Sequence, residues 1–322
     1  MQGLVTVFGG SGFIGAQAVR ALAKRGHRVR VAVRRPGHAY RMRMLGDVGQ
    51  IEVVQANVRA PASIARALQG AQGCVNLVGL LHEGGRQKFQ SVHAMGARHI
   101  AEAAAAAGVE RLAHVSAIGA DAQSVAKYAR TKAMGEAAVR EAFPGSVILR
   151  PSVVFGPGDN FFNRFGRMSA MSPVLPLIGG GETRMQPVYV GDVAAAIATA
   201  VGDPATAGKT YELGGPVVYS FKALMELILR ETGRRPLLLP LPFSIAKLIG
   251  TAAEIPSMVL PIPPLLTADQ VELLRSDNVV AVGALGLGDL GVEPTAVEAI
   301  VPAYLFRFRK GGQYAEALAS GV

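Results

Sequence analysis

The chain has 322 residues, 50% hydrophobic and 17% charged, with one cysteine and no tryptophan. That content supports a large buried core and excludes global disorder, while a lone Cys74 excludes an internal disulfide and a cysteine-ligated structural zinc and suits a reducing compartment. Lys and Arg number 33 against 23 Asp and Glu, a net +10, which points to an anionic partner (acidic lipid, an acidic protein surface or nucleic acid) or to plain arginine-rich usage.

Nucleic acid is the least favoured of these, because the arginines are scattered and no basic run interleaves with aromatics. Met1-Gln2-Gly3 leads straight into a strand-like run, so no signal or transit segment is expected. Leu4 to Phe8 reads as a strand and Phe13 to Arg25 as a helix. Arg28 to Val33 and Ile51 to Gln55 follow as strands, then a helix over Ala62 to Leu68 and a strand over Cys74 to Val78. An alanine-rich helix spans about Ala94 to Ala107, then come a strand at Leu112 to Ser116, a helix from near Tyr128 to Ala142 and a strand at Ser146 to Arg150. Continuous apolar strands alternating with helices of this length predict an α/β fold, a doubly wound parallel Rossmann sheet covered on both faces.

Beyond Arg150, prolines and glycines become dense. Val188 to Val190 reads as a strand and Asp192 to Val201 as a helix opened by an Asp cap; from Lys209 on, the elements read as short and irregular. The expected organisation is a dinucleotide domain over 1–150, joined by about 186–202. A smaller, discontinuous substrate-like or interaction domain takes 151–185 and 203–322. The apolar stretch Leu237 to Ala268 is broken by Pro240, Pro242, Pro256, Pro261, Pro263 and Pro264, so it cannot span a bilayer. It suits a membrane surface, a subunit contact or its own domain's core.

The first strand runs into Gly9-Gly10-Ser11-Gly12-Phe13-Ile14-Gly15. Glycines at 9, 12 and 15 between a strand and a helix suit a pyrophosphate that must approach backbone N–H groups with no Cβ in the way. The second strand ends at Arg34-Arg35, where NAD-selective sites carry an acid. Two arginines suit a 2′-phosphate instead, so NADP(H) is expected over NAD(H). Val78 and Gly79, closing the fourth strand, are expected beside the cofactor ribose and nicotinamide, Asn57 after the third near the adenine, and Pro151, just after the sixth, in the lining.

Tyr128 and Lys132 stand at i and i+4, on one helical face. A lysine beside a tyrosine is expected to lower the phenol pKa and make it an acid/base near neutral pH. Ser116, ending the preceding strand, is placed to bind a substrate carbonyl.

Gly9 to Gly15 with Ser116, Tyr128 and Lys132 resembles the extended short-chain dehydrogenase/reductase family, the epimerase-dehydratase branch. The resemblance implies Tyr128 as acid/base, Lys132 as ribose ligand and pKa tuner, and Ser116 as carbonyl partner. The helical position that usually carries Asn there holds His93, a departure from the proton-relay tetrad. Arg41 to Arg43 with Leu45 to Gln50, Tyr128 to Glu136, Arg140 to Pro144, Gln186 to Val193 and Asp289 to Val292 together resemble the NAD(P)-binding accessory subunits of respiratory complex I. That implies NADPH held as a structural ligand, other complex I subunits as partners, and a place on the peripheral arm near the cytoplasmic face of the membrane. A free NADP-dependent reductase, epimerase or dehydratase and a redox sensor stay open beside it.

The aromatic and basic run Tyr304 to Lys310 reads either as an interfacial anchor or as a terminal element on its own protein. Dispersed histidines give no metal site. Asp159 and Asn160 read as a cap or as shaping the cleft, Arg184 as facing a phosphate or plain surface, Asp192 as a cap, and Cys74 as inert core.

Overall fold

A computed structural model describes residues 3–259 and 266–312. The elements in chain order are β1 (Leu4–Phe8), α1 (Phe13–Lys24), β2 (Arg28–Val33), β3 (Ile51–Gln55), α2 (Pro61–Leu68), β4 (Gly73–Asn76), α3 (Met95–Ala106), β5 (Arg111–Val115), α4 (Lys127–Ala142), β6 (Val147–Pro151) and β7 (Val154–Phe155). They continue with α5 (Phe162–Met171), β8 (Val174–Ile178), β9 (Arg184–Met185), β10 (Val188–Tyr189), α6 (Val190–Gly202), β11 (Thr210–Leu213), β12 (Tyr219–Ser220), α7 (Phe221–Thr232), β13 (Leu237–Leu241), α8 (Phe243–Val259) and α9 (Ala268–Leu273).

A seven-stranded sheet runs in the order β11-β6-β5-β4-β1-β2-β3, and every pairing in it is parallel. Strands buried on both faces must satisfy any polar residue they carry. Thr6 in β1 is fully buried, and its hydroxyl donates to the Ala67 carbonyl at 2.9 Å. On one face Phe8, Cys74, Leu112 and Ile148 pack with Ile64 and Leu68 of α2, Ile100 and Ala104 of α3, and Val139 of α4. Cys74 is fully buried there, and burial pushes its thiol pKa up, which keeps it an inert thiol. The strand order reverses between β1 and β4, so the crevice at their carboxyl ends is the switch point where ligands bind in open α/β sheets.

The chain divides into two compact units. The first holds residues 1–151, 190–213 and 281–293, and the second 152–189, 214–280 and 294–322. The boundaries expected from sequence move at three places, the first being that 186–189 belong to the second unit. Residues 203–213 belong to the first unit because β11 pairs in parallel with β6, and 281–293 because the Glu212 amide donates to the Leu285 carbonyl at 2.8 Å.

The second unit is built from three two-stranded pairs, β7·β10, β9·β12 and β8·β13, with helices around them. Its core includes Phe155, Phe162, Phe221, Leu224, Ile228, Tyr304 and Leu305. The expectation of short, irregular elements beyond Lys209 does not hold, since α7 has 12 residues and α8 has 17. α7 has its start and stop signals: Ser220 accepts from the Ala223 amide at 3.0 Å, and Gly233 closes it at φ 62°. Tyr304 and Leu305 are core residues and Arg309 donates to the Glu231 carbonyl at 2.8 Å, so the run is held on its own unit, while Phe306 is exposed. Pro261, Pro263 and Pro264 lie outside the described residues. No helix among the described residues is long and apolar enough to cross a membrane.

Three smaller readings resolve. Asp159 accepts from the amides of Gly156 and Asn163 at 3.2 and 3.1 Å, a cap at the start of α5. Arg184 is held by Asp277 at 2.7 Å. α6 starts at Val190, two residues earlier than expected, which puts Asp192 inside its first turn.

Candidate functional site

Because the sheet is parallel, the carboxyl ends of all its strands open on one edge. The Gly9–Gly15 loop follows β1 there, Arg34 and Arg35 follow β2, Asn57 follows β3, Val78 and Gly79 follow β4, Ser116 follows β5, and Pro151 ends β6. Six separate stretches of sequence thus meet along one rim.

Gly9 has φ +80°, and a Cβ on it would meet the Leu77 carbonyl carbon at 3.1 Å. Gly15 lies against the same turn, where a Cβ would come within 2.3 Å of the Gly9 carbonyl oxygen. The Gly9 carbonyl also accepts from the Gly12 amide at 3.0 Å. The turn is therefore as tight as backbone allows, and it presses β1 against the segment after β4. Gly12 caps α1 with no side-chain hydrogen bond, so the first amides of the helix face outward unoccupied by the chain's own caps. Ser11, Phe13 and Ile14 are part-exposed around it. This cradle has the shape and polarity that a pyrophosphate needs.

Farther along the rim, Arg34 and Arg35 are exposed. Arg59 donates to the Arg86 carbonyl at 2.9 Å, which ties the 84–87 turn to the segment after β3. Asn57 is engaged locally: its side-chain oxygen accepts from the Arg59 amide at 3.1 Å.

At the other end, Val78 donates to the Asn76 side-chain oxygen at 3.1 Å. A Cβ on the exposed Gly79 would stand 3.6 Å from Lys132 Nζ and 3.8 Å from His93 Nε2. The opening beside Gly79 is thus lined by a cation and an imidazole. Lys132 is 6% exposed, and its ammonium donates to the Val115 carbonyl at 3.1 Å. It also sits 5.9 Å from the centre of the Tyr128 ring. Ser116, the next residue after Val115, is 3% exposed, and its hydroxyl has no hydrogen-bond partner among the described residues. An orphaned hydroxyl at the rim, a glycine opening and an open helix terminus all fit a dinucleotide and a small polar group beside it.

The electrostatics correct one expectation. Burial pushes the Tyr128 phenol up to about 12, and the nearby lysine does not reverse it. Burial instead draws Lys132 down to about 8, with Glu136 opposing the shift. Desolvation exceeds the pairwise attraction because a cation and a phenolate both lose water here.

Sequence reasoning missed several neighbours. His114 is buried two residues before Ser116 on the same strand face, its Nδ1 3.0 Å from the Asn76 amide nitrogen. The period-2 spacing to Ser116 was the available signal. Phe89 stacks on His93 with ring centres 5.2 Å apart, and His93 meets the Tyr128 ring edge-on at 5.4 Å. Thr131 lies 3.1 Å from His93 Nδ1, a contact between positions 38 apart that no local pattern announces. Among the described residues no cluster of His, Cys, Asp or Glu is placed to hold a metal.

A family model for the NAD dependent epimerase/dehydratase family matches residues 5–214. The chain belongs to the NAD dependent epimerase/dehydratase family. Within this family it is 36% identical, over 97% of its length and 80% of the other's, to "NADH dehydrogenase [ubiquinone] 1 alpha subcomplex subunit 9, mitochondrial" of Arabidopsis thaliana. The mouse protein of that name is 37% identical over 92% of this chain and 78% of its own. A "Ceramide reductase" of Caulobacter vibrioides is 38% identical over 60% of this chain and 59% of its own. Among solved structures, an NADPH-dependent quinone oxidoreductase of Escherichia coli in complex with NADPH superposes with a TM-score of 0.73 at 21% identity, covering 94% of this chain and 99% of its own. At that identity the likeness shows the epimerase/dehydratase fold alone.

Proposed function

We propose that this chain is an accessory subunit of a membrane-associated NADH:quinone oxidoreductase, complex I, that holds NADPH as a structural ligand. The observation that carries the reading is the likeness, over more than nine-tenths of the chain, to subunits of that name in plant and mouse. The site supports it. A phenol at about 12 beside a lysine at about 8 is a poor proton donor near neutral pH.

The residues of the rim have roles as ligands of a bound dinucleotide. Gly9, Gly12 and Gly15 with Ser11, Phe13 and Ile14 receive the pyrophosphate. Arg34 and Arg35 favour a 2′-phosphate through charge-assisted contacts, which supports NADPH over NADH. Val78, Gly79 and Pro151 shape the nicotinamide end, Asn57 the adenine end, and Tyr128 and Lys132 hold the ribose. When bound, the nicotinamide supplies or accepts hydride; Ser116 and Tyr128 are the side chains that would orient a carbonyl there. A ligand that binds only the folded chain stabilises it by mass action. The partners are other complex I subunits, and the place is peripheral, at the cytoplasmic face of the inner membrane, where a net charge of +10 suits an anionic surface.

The test is native purification from membranes in mild detergent, with mass spectrometry of co-migrating proteins and chromatography of released nucleotide. Co-migration with respiratory subunits and stoichiometric NADPH is expected. Recovery as a free soluble protein with weakly held or NADH-preferring nucleotide overturns the reading. A second reading, a free NADP-dependent reductase, is favoured by the retained Ser116, Tyr128 and Lys132 and by the likeness to a ceramide reductase. It requires cofactor oxidation on addition of a ketone, abolished in Tyr128→Phe.

A further inference from the structure

His93 occupies a helical kink. Residues Gln90–Ala94 form a π-type turn that runs into α3, and the imidazole is 2% exposed. Its hydrogen bonds fix its protonation. The Leu80 amide, which can only donate, lies 2.9 Å from Nε2, so Nε2 is the acceptor. The proton of a neutral ring is then on Nδ1, facing the Thr131 hydroxyl at 3.1 Å. Thr131 accepts it while donating its own proton to the Lys127 carbonyl at 2.9 Å, with the Tyr128 carbonyl at 3.1 Å. Whichever of the two carbonyls takes the Thr131 proton, the hydroxyl is the donor there, so the imidazole is the donor to Thr131.

We propose that His93 is a positioning residue, an Nδ1–H imidazole that rivets the segment after β4 to α4 and, with its one lone pair occupied, takes no part in proton transfer. A second proton on Nε2 would point at the Leu80 N–H and break the rivet. Burial lowers its pKa to about 3, aided by the Lys132 charge and opposed by the Leu80 backbone contact, while Phe89 and Tyr128 present aromatic surface. The backbone is fixed as well, since Gly135 of α4 approaches so closely that a Cβ there would fall 2.3 Å from the His93 carbonyl. What the rivet sets is the gap beside Gly79, lined by His93 Nε2 and Lys132 Nζ, which is the nicotinamide end of the proposed site. This consequence rests on the dinucleotide-binding reading; the tautomer does not.

The experiment is nitrogen NMR of histidine-labelled wild-type protein, with the His93 signal assigned by its absence in His93→Asn, together with NADPH affinities of two variants. A protonated Nδ1 and an unprotonated Nε2, unchanged from pH 7.5 to 5, are expected. His93→Gln can accept from Leu80 and donate to Thr131, so its NADPH Kd should stay within about threefold of wild type. His93→Leu fills the space but makes neither bond, and its Kd should rise at least about tenfold, or about 1.4 kcal/mol. An Nε2–H tautomer, a ring that protonates above pH 5, or equal affinity in the Leu and Gln variants overturns the proposal. Wild-type protein that binds no NADP(H) would sink the dinucleotide reading alone, and the spectrum would still decide the rivet.

Discussion

The Lys132 ammonium ends on the backbone carbonyl of Val115, 3.1 Å away, at a site only 6% exposed. A buried cation with one neutral acceptor is stabilised poorly, which is why its pKa falls from 10.5 to about 8. Between pH 8 and 10.5 the unfolded chain holds the Lys132 proton and the folded chain does not. Stability contributed by this group is therefore lowest below pH 8 and rises through that window, by an amount on the order of 3 kcal/mol. In nucleotide-free protein, Lys132→Met should be at least as stable as wild type at pH 7, and the rising limb should flatten. Urea midpoints from pH 7 to 10.5 measure this; a wild-type limb that falls instead refutes it.

Acid should act through buried histidines. His93 and His114 are each 2% exposed and held neutral by burial, with folded pKa values of about 3 against 6.5 unfolded. The unfolded chain takes up these protons first as pH drops. Stability is therefore fully present above about 6.5 and declines toward pH 3, by up to about 5 kcal/mol for each ring over the range. Thermal melts at pH 7 and 5 should show the loss, and His114→Asn should reduce it.

Gly15→Ala places a methyl 2.3 Å from the Gly9 carbonyl oxygen, a backbone atom that cannot swing aside. The turn must open, and α1 must shift from β1. The expected result is loss of dinucleotide binding by at least about a hundredfold and a drop of about 1–3 kcal/mol in stability. Gly49→Ala is a useful comparison for the turn itself. Like Gly9 and unlike Gly15 it carries a positive φ, 77°, yet a Cβ there meets nothing within 4 Å. It should lower stability by about 1 kcal/mol and leave binding intact.

Arg150 forms a fork with Glu136, at 2.9 and 2.7 Å, and reaches Glu212 at 3.4 Å, tying α4, β6 and β11 together. Glu136 is 5% exposed, so removing its partner leaves a buried charge. Arg150→Met should lose about 2–4 kcal/mol, reduced from the fully buried case because the arginine is part-exposed. The double variant Arg150→Met with Glu136→Leu should recover much of it. Chemical denaturation of both variants checks the pair.

The Ser116 hydroxyl is buried without a partner among the described residues. Ser116→Ala should leave nucleotide-free stability unchanged or slightly raised, by up to about 1 kcal/mol. A marked loss would mean that the hydroxyl is bonded after all.

The sheet was legible because buried parallel strands announce themselves as apolar runs: Leu4–Phe8, Arg28–Val33 and Ile51–Gln55 fall where the sequence places them. The glycine turn was equally open to reading, since only glycine tolerates the approach of Gly15 to Gly9. Less could be seen where partners are distant in sequence. The His93–Thr131 and Glu212–Leu285 contacts depend on topology, so neither the rivet nor the late return of 281–293 leaves a local signal. The phenol shift of Tyr128 was misjudged because helical spacing shows that a lysine is near but says nothing of how much water both groups lose.

The seam at β11 also has a consequence in time. This strand ends the sheet, and its outward amide at Glu212 is satisfied by Leu285, while the Glu212 carboxylate receives the Ala281 amide at 2.9 Å. During synthesis those caps emerge long after the strand they cover. A nascent chain stalled before residue 281 would carry an unsealed strand border, the kind of surface on which two copies zip together. Fragments cut at that point are expected to be less soluble than the whole chain, an outcome set by the order in which the polypeptide leaves the ribosome.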